Sequence, residues 1–255
     1  MNIYVCMKQV PDTEASLTVK DGKGINEDNI KWVINPYDEY AIEEALKLKE
    51  SGAGESVTLV TLGPGRSESS IRTGLAMGAQ HAIHIETDDY IDHKTAALAM
   101  ANAIKQDADH GVIFMGKQAI DDDSYQTHIL MADCLGAGAA TNVTAFRFED
   151  DKVIVEREID EGAKEKIEMA VPCVVGATKG LNEPRYASLM GIMKAKKIPI
   201  KKMTLADLGV EASAAIKPEK LYAPPEKPPG RVLEGELEDT VKELVKLLKE
   251  EAKVL

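Results

Sequence analysis

Short, almost wholly apolar runs alternate with longer segments in which apolar residues recur every three or four positions, and the alternation repeats four times before residue 136. The apolar runs are 2–7 (NIYVCM), 56–62 (SVTLVTL), 81–85 (HAIHI) and 111–115 (GVIFM). Their length and β-branched content read as strands covered on both faces. The periodic segments, 38–50, 67–77, 92–106 and 122–135, read as helices. In the first of these, DEYAIEEALKLKE, the residues Ala41, Ile42, Ala45, Leu46 and Leu48 form the inward stripe, and Glu39, Glu43, Glu44, Lys47 and Lys49 face water. Asn35-Pro36 signals a turn, and Asp38 is expected as the N-cap of that helix. Gly78 is expected as the C-cap of the second. Strand–helix units at this spacing predict an α/β fold, a doubly wound, mainly parallel and Rossmann-like sheet.

Elsewhere the pattern differs. Residues 11–31 are polar and Gly-bearing and read as a hairpin or excursion. Runs at 142–148, 152–159, 166–170 and 173–177 read as further strands without long helices between them, with Asp150-Asp151 as a hairpin turn. From Gly180 onward proline and lysine accumulate, and Pro199, Pro218, Pro224, Pro225, Pro228 and Pro229 bar continuous helix or central strand. Residues 221–230 (LYAPPEKPPG) are expected to be extended. Residues 236–249 form a last amphipathic helix with Leu237, Val241, Leu244, Val245 and Leu248 on one face. The expected division is an α/β nucleotide-binding domain over 1–195 and a C-terminal arm over 196–255. The arm is expected to wrap a partner; the alternative is packing against the chain's own core.

The 255 residues, 44% hydrophobic, suffice for one substantial core, and with 4% aromatics that core must be built from Val, Ile, Leu, Met and Ala. A net charge of −12 argues against nucleic acid, since no overall basic field exists to neutralise phosphates. Cys6, Cys134 and Cys173 are scattered, without a CxxC pair, which fits buried packing in a reduced, cytoplasmic setting. No run approaches the length of a membrane span. The opening MNIYVCMKQV reads as a strand rather than a cleavable leader.

In a doubly wound sheet, ligands sit outside the carboxyl ends of the strands. Four segments converge there: Cys6 and its neighbours, the turn Asn35, Pro36, Tyr37 and Asp38, the end of the second strand at Leu62, and GKQAIDDDSYQT at 116–127. The last holds Gly116, Lys117, Gln118, Ala119 and Ile120, then three consecutive carboxylates, Asp121, Asp122 and Asp123, then Ser124, Tyr125, Gln126 and Thr127. Adjacent like charges resist burial unless donors or a ligand compensate, so this is either a solvated loop or a binding loop. Gln118, Ser124, Gln126 and Thr127 offer neutral hydrogen-bonding groups, and the backbone N–H groups of Asp122 to Ser124, at the start of the fourth helix, are expected to meet a phosphate. An aspartate could accept from ribose hydroxyls or cap the helix; Mg²⁺ ligation is the less specific alternative. Neither GxGxxG nor a Walker motif is present, and no His, Ser or Cys constellation marks a catalytic site. A second stretch, 181–197 (LNEPRYASLMGIMKAKK), sets Leu189, Met190, Ile192 and Met193 beside Lys194, Lys196 and Lys197. It suits adaptable docking to an acidic protein surface, or an amphipathic helix packed on its own domain.

The segments NPYDEYAIEEALKLKE, IRTGLAMGA, GKQAIDDDSYQT, VEREIDEGAKEKIEMAVPCVV and LNEPRYASLMGIMKAKK, in this order, resemble the β subunit of electron transfer flavoprotein along nearly the whole chain. The resemblance implies an electron carrier rather than a conventional enzyme. It implies a heterodimer with an α subunit whose mobile domain holds most of the FAD, and passage of electrons from flavin dehydrogenases such as acyl-CoA dehydrogenase to a quinone-linked oxidoreductase. It implies AMP in this subunit, or a second FAD in its place in the electron-bifurcating type, where NADH is the donor. The matching nucleotide positions are Cys6, Asn35 to Asp38, Leu62 and Gly116 to Thr127. Leu189 matches the residue inserted into a dehydrogenase, Lys194 and Lys197 fall where family members are modified, and Glu158 matches a contact to the flavin domain. KQVPDT and Asp38 look like the bacterial and bifurcating branch, whereas the docking segment looks like the ordinary type, so AMP and a second FAD both stand. A bacterial or archaeal cytoplasmic protein is expected. The competing class is a stand-alone adenine-nucleotide-binding enzyme or sensor, against which the missing phosphate motif counts.

Overall fold

β1 (Asn2–Cys6) is buried on both faces: Ile3 and Val5 enter one hydrophobic core, Tyr4 and Cys6 the other. That is the condition of a central parallel strand covered by helices on either side. The computed structural model describes residues 1–22, 24–225 and 229–255. After β1 come β2 (Gln9–Pro11), β3 (Val19–Lys20), β4 (Gly24–Ile25) and β5 (Trp32–Ile34), of which β2 pairs with β5 and β3 with β4, both antiparallel. The repeating units are α1 (Pro36–Glu50), β6 (Val57–Gly63), α2 (Glu68–Met77), β7 (His81–Glu86), α3 (His93–Ile104), β8 (His110–Gly116) and α4 (Thr127–Leu135). Then follow β9 (Gly138–Glu149), β10 (Lys152–Glu158), β11 (Lys164–Ala170), β12 (Cys173–Ala177), α5 (Leu189–Ala195), β13 (Ile200–Met203) and α6 (Leu237–Glu250).

One nine-stranded sheet has the order β11-β10-β9-β12-β8-β1-β6-β7-β13. From β9 to β13 every neighbouring pair is parallel, while β10 runs antiparallel to β9 and β11. The expected α/β class and mainly parallel sheet are therefore present. α1 and α2 cover one face with Ile42, Leu46, Ile71 and Leu75, and α3 and α4 the other with Met100, Ile104 and Met131. The order steps from β1 to β6 and β7 on one side and to β8 on the other, so the strand order reverses between β1 and β8.

Three expectations change. α1 begins at Pro36 with Asn35 as N-cap, so Asp38 is not the cap but lies inside the first turn. Glu43 and Glu44, expected to face water, are buried because Arg185 and Asn182 arrive from far along the chain to pair with them. α4 begins at Thr127 rather than at 122: Asp122 Oδ1 accepts from Ser124 N (3.0 Å), and Asp123 and Tyr125 take φ of +48° and +57°, which no α-helix accommodates. Past residue 195 the chain adds β13 to the sheet edge and Leu205, Leu208 and Val210 to the second core before leaving the sheet. Within the Pro-rich stretch expected to be extended, residues 226–228 lie outside the described residues. α6 keeps Leu237, Val241, Leu244 and Val245 exposed. Among the described residues no helix is long and apolar enough to cross a membrane.

Phe114 of β8 is fully buried and meets Phe146 of β9 edge-on, with ring centroids 5.1 Å apart. Phe114→Ala is expected to destabilise the fold by about 3–5 kcal/mol through transfer and cavity costs. Urea unfolding monitored by circular dichroism measures this, and a loss below about 1 kcal/mol would contradict that core placement.

Candidate functional site

The reversal between β1 and β8 opens a cavity of about 360 Å³ at the carboxyl ends of the strands. That is where an open α/β sheet binds its ligands. Cys6 ends β1 on one side and Met115 and Gly116 end β8 on the other.

Asn35 and Asp38, at the start of α1, knit these ends together. Asp38 is buried; its Oδ2 accepts from Lys8 N (2.7 Å) and its Oδ1 from Gly116 N (2.8 Å). Asn35 donates through Nδ2 to the carbonyl of Gln118 (2.8 Å) and accepts at Oδ1 from Ile120 N (3.2 Å). Its side chain makes no cap bond within α1, because it is committed to the loop after β8. Gly116 permits the approach: a Cβ there would lie 2.5 Å from Asp38 Oδ1 and 2.7 Å from Tyr37 Cβ.

The three aspartates do not act as a unit. Asp121 and Asp122 both meet Lys8 Nζ, at 2.8 and 3.0 Å, and Asp123 Oδ1 accepts from Gln118 Nε2 (2.5 Å). Asp122 also lies 3.7 Å from Nε2 of His93, whose Nδ1 is 3.2 Å from Thr127 Oγ1 and 3.4 Å from Ser124 Oγ. Among the described residues no group of His, Cys, Asp or Glu is spaced to hold a metal. The expected phosphate cradle at Asp122 to Ser124 does not form. Asp123 N donates to Ala119 O and Ser124 N to Asp122, so those donors are spent inside the loop. α4 begins only at Thr127, and its first residues Thr127 and His128 line the cavity.

Of the expected positions, Cys6, Asn35, Asp38, Leu62, Gly116, Lys117, Gln118, Ala119, Asp121, Asp122, Ser124, Gln126 and Thr127 line the cavity. Pro36, Tyr37, Ile120, Asp123 and Tyr125 stand outside that lining as its frame: Tyr37 carries the Lys117 ammonium 5.3 Å from its ring, and Tyr125 packs edge-on to His128. Met7 and Lys8, neighbours of Cys6, also line it, and so do Tyr90, Ile91, His93, Ala96, Met100, Met115 and His128, which sequence reasoning does not single out as site residues. One signal was available: Asp92 caps α3 through Thr95 N, which puts His93 at a helix start on this same edge.

Two of the buried lining groups are uncharged. Burial pushes the Cys6 thiol up beyond any physiological range, so it is a packing group and not a nucleophile. Burial lowers His128 to about 4, leaving a neutral ring. The residues expected to dock a partner lie elsewhere. Leu189, Met190, Ile192, Met193, Lys194 and Lys197 are exposed on and beside α5, and Glu158 is exposed at the end of β10.

Burial raises the Asp38 carboxyl to about 7, against the two backbone donors that favour its charged form. Its contribution to stability is therefore whole below the unfolded value of 3.8 and lost as pH rises through about 7. Asp38→Asn keeps one acceptor and loses the other, at a cost of about 1–2 kcal/mol at low pH. It is expected to remove a fall in stability of up to about 4 kcal/mol between acid and mildly alkaline pH. Thermal melts across that range measure it; equal slopes in both proteins would exclude Asp38 as the source.

Comparison with known proteins accords with this architecture. Residues 23–208 match the family model described as the electron transfer flavoprotein domain. The chain is 42% identical to the electron transfer flavoprotein subunit beta of Bradyrhizobium diazoefficiens and 40% identical to that of Bacillus subtilis, over the whole of both chains in each case. It is 37% identical to the electron transfer flavoprotein subunit beta of Homo sapiens, over 98% of this chain and 97% of the relative. The chain belongs to the electron transfer flavoprotein β subunit family.

Proposed function

We propose that this chain is the β half of a heterodimeric electron carrier, and that its cavity at the β1/β8 reversal holds the adenylate part of an adenine nucleotide. The observation that carries the second statement is the donor set. Apolar walls from Cys6, Leu62, Met100 and Met115 face a small number of polar groups, with the first turn of α4 opening onto the same space. A volume of about 360 Å³ lies within the roughly 300–1,000 Å³ of small-ligand pockets. Asn35 and Gly116 would frame the base and ribose side, and Gln126, Thr127 and His128 would receive the phosphate. FAD shared with an α subunit supplies the redox chemistry when bound. This chain's residues shape the nucleotide site, exclude water from it and present docking surfaces. AMP is the proposed occupant.

A second reading places FAD in this cavity, with NADH as donor. It draws on a neighbouring hollow of about 830 Å³, lined by Trp32, Arg66 and Tyr90, which shares Lys8, Leu62 and Asp121 with the first. A dinucleotide could extend there.

The exposed stripe of α6, on an arm with prolines at 218, 224 and 225, is the proposed contact to the α subunit. The exposed Leu189 to Met193 segment is the proposed contact to acyl-CoA or related dehydrogenases, with a quinone-linked oxidoreductase as the acceptor. A cytoplasmic setting goes with this reading. Glu158 is proposed to meet the flavin-carrying domain.

Denaturing the purified heterodimer and separating the released nucleotides tests the reading. One AMP and one FAD per heterodimer is the expected result. Two FAD and no AMP would replace it with the second reading, and one FAD with no other adenine nucleotide per heterodimer would end both.

A further inference from the structure

α5 is only seven residues long and exposes Leu189, Met190 and Met193 by 83%, 70% and 69%. Isolated helices shorter than about 12–15 residues are marginal in water, and this one buries little of its own surface. Contacts from outside the segment hold it.

At its rear, Arg72 of α2 reaches over. Its Nη1 donates to the carbonyls of Ala195 and Ile198, both at 2.6 Å, and its Nη2 to Glu68 (3.0 Å). A guanidinium at a helix C-terminus satisfies carbonyls that lack intrahelical partners and faces the negative end of the dipole. At its front, Arg185 forks onto Glu43 of α1 through Nε (2.8 Å) and Nη2 (3.0 Å), and its Nη1 meets Glu50 (2.6 Å). Glu43 is buried, so this pair fixes geometry as well as charge. In the middle, Gly191 lies so close to α2 that a Cβ there would be 2.3 Å from the carbonyl oxygen of Ala76. Ser188 Oγ accepts from Gly191 N (3.0 Å) and sets the entry to the helix.

We propose that Arg72, Arg185 and Gly191 are positioning residues that keep segment 185–198 formed before a dehydrogenase arrives, so that docking does not have to order it. The proposal rests on the docking role given to this segment above. Pre-forming a binding segment raises affinity by removing its ordering cost, without adding a contact. The clamp lies away from the nucleotide cavity, so its loss acts on partner affinity and not on electron passage within a formed complex.

The test uses the intact heterodimer, with a purified acyl-CoA dehydrogenase as probe. Hydrogen exchange over 186–197 is measured without the dehydrogenase, and KM and kcat for the heterodimer are measured with it. Arg72→Gln removes one end of the clamp, and Gly191→Ala pushes α5 off α2 without touching a charge. Each is expected to speed exchange in the segment and raise KM by about tenfold, with kcat within about twofold and exchange in β1 and β8 unchanged. Arg72→Lys, which keeps charge but not the two-carbonyl reach, is expected to restore part of the KM. Leu189→Ala is expected to raise KM at unchanged exchange. Unchanged exchange in both clamp variants overturns the proposal. So does faster exchange at wild-type KM, provided Leu189→Ala still weakens docking. If Leu189→Ala leaves KM unchanged, the docking role itself falls.

Discussion

At the reversal of strand order the backbone N–H groups of Lys8 and Gly116 both donate to one buried carboxylate, that of Asp38. Much of the site follows from this arrangement. It sets the spacing of the two strand ends that wall the cavity and orients α1 across them. It also requires glycine at 116, since the carboxylate occupies the space a Cβ would fill. The arrangement is demanding because a buried carboxylate prefers to be neutral while both its oxygens are asked to accept. Burial prevails near neutrality, and the opposing tendencies leave the group titrating there.

Around this point each carboxylate of the loop has a polar partner. Lys8 answers Asp121 and Asp122, His93 stands beside Asp122, and Gln118 answers Asp123. The rim is thus polar and still acidic, with one ammonium shared by two carboxylates and the start of α4 behind it. A small anion with a polar body can enter such a site without meeting three bare carboxylates.

The strands and helices were legible because burial on both faces writes continuous apolar runs, and helices write a period of three to four. The sheet edge, and with it most of the cavity lining, followed from the order of those elements. What escaped depends on partners far apart in sequence. Glu43 and Glu44 read as surface residues because nothing near them reveals Arg185 or Asn182, more than 130 positions away. Asp38 reads as a cap because its two donors, Lys8 just past β1 and Gly116 at the end of β8, are distant in sequence. The start of α4 was placed early because an aspartate run looks like a helix entrance until its side chains bond their own loop. His93 does not stand out in the sequence because a single residue carries no period.

α1 gains a meaning from what its two ends hold. Its first turn carries Asn35 and Asp38 into the cavity, and later turns carry Glu43, Glu44 and Glu50 to the foot of the exposed segment. The helix is 15 residues, about 22 Å, and rigid. Inserting or deleting one residue between Asp38 and Glu43 would rotate one end against the other by about 100°. Most of its side chains are buried or half-buried, so its length and its inward faces are constrained together. The cavity and the exposed segment are thus measured off one ruler, and a change in its length would shift one against the other.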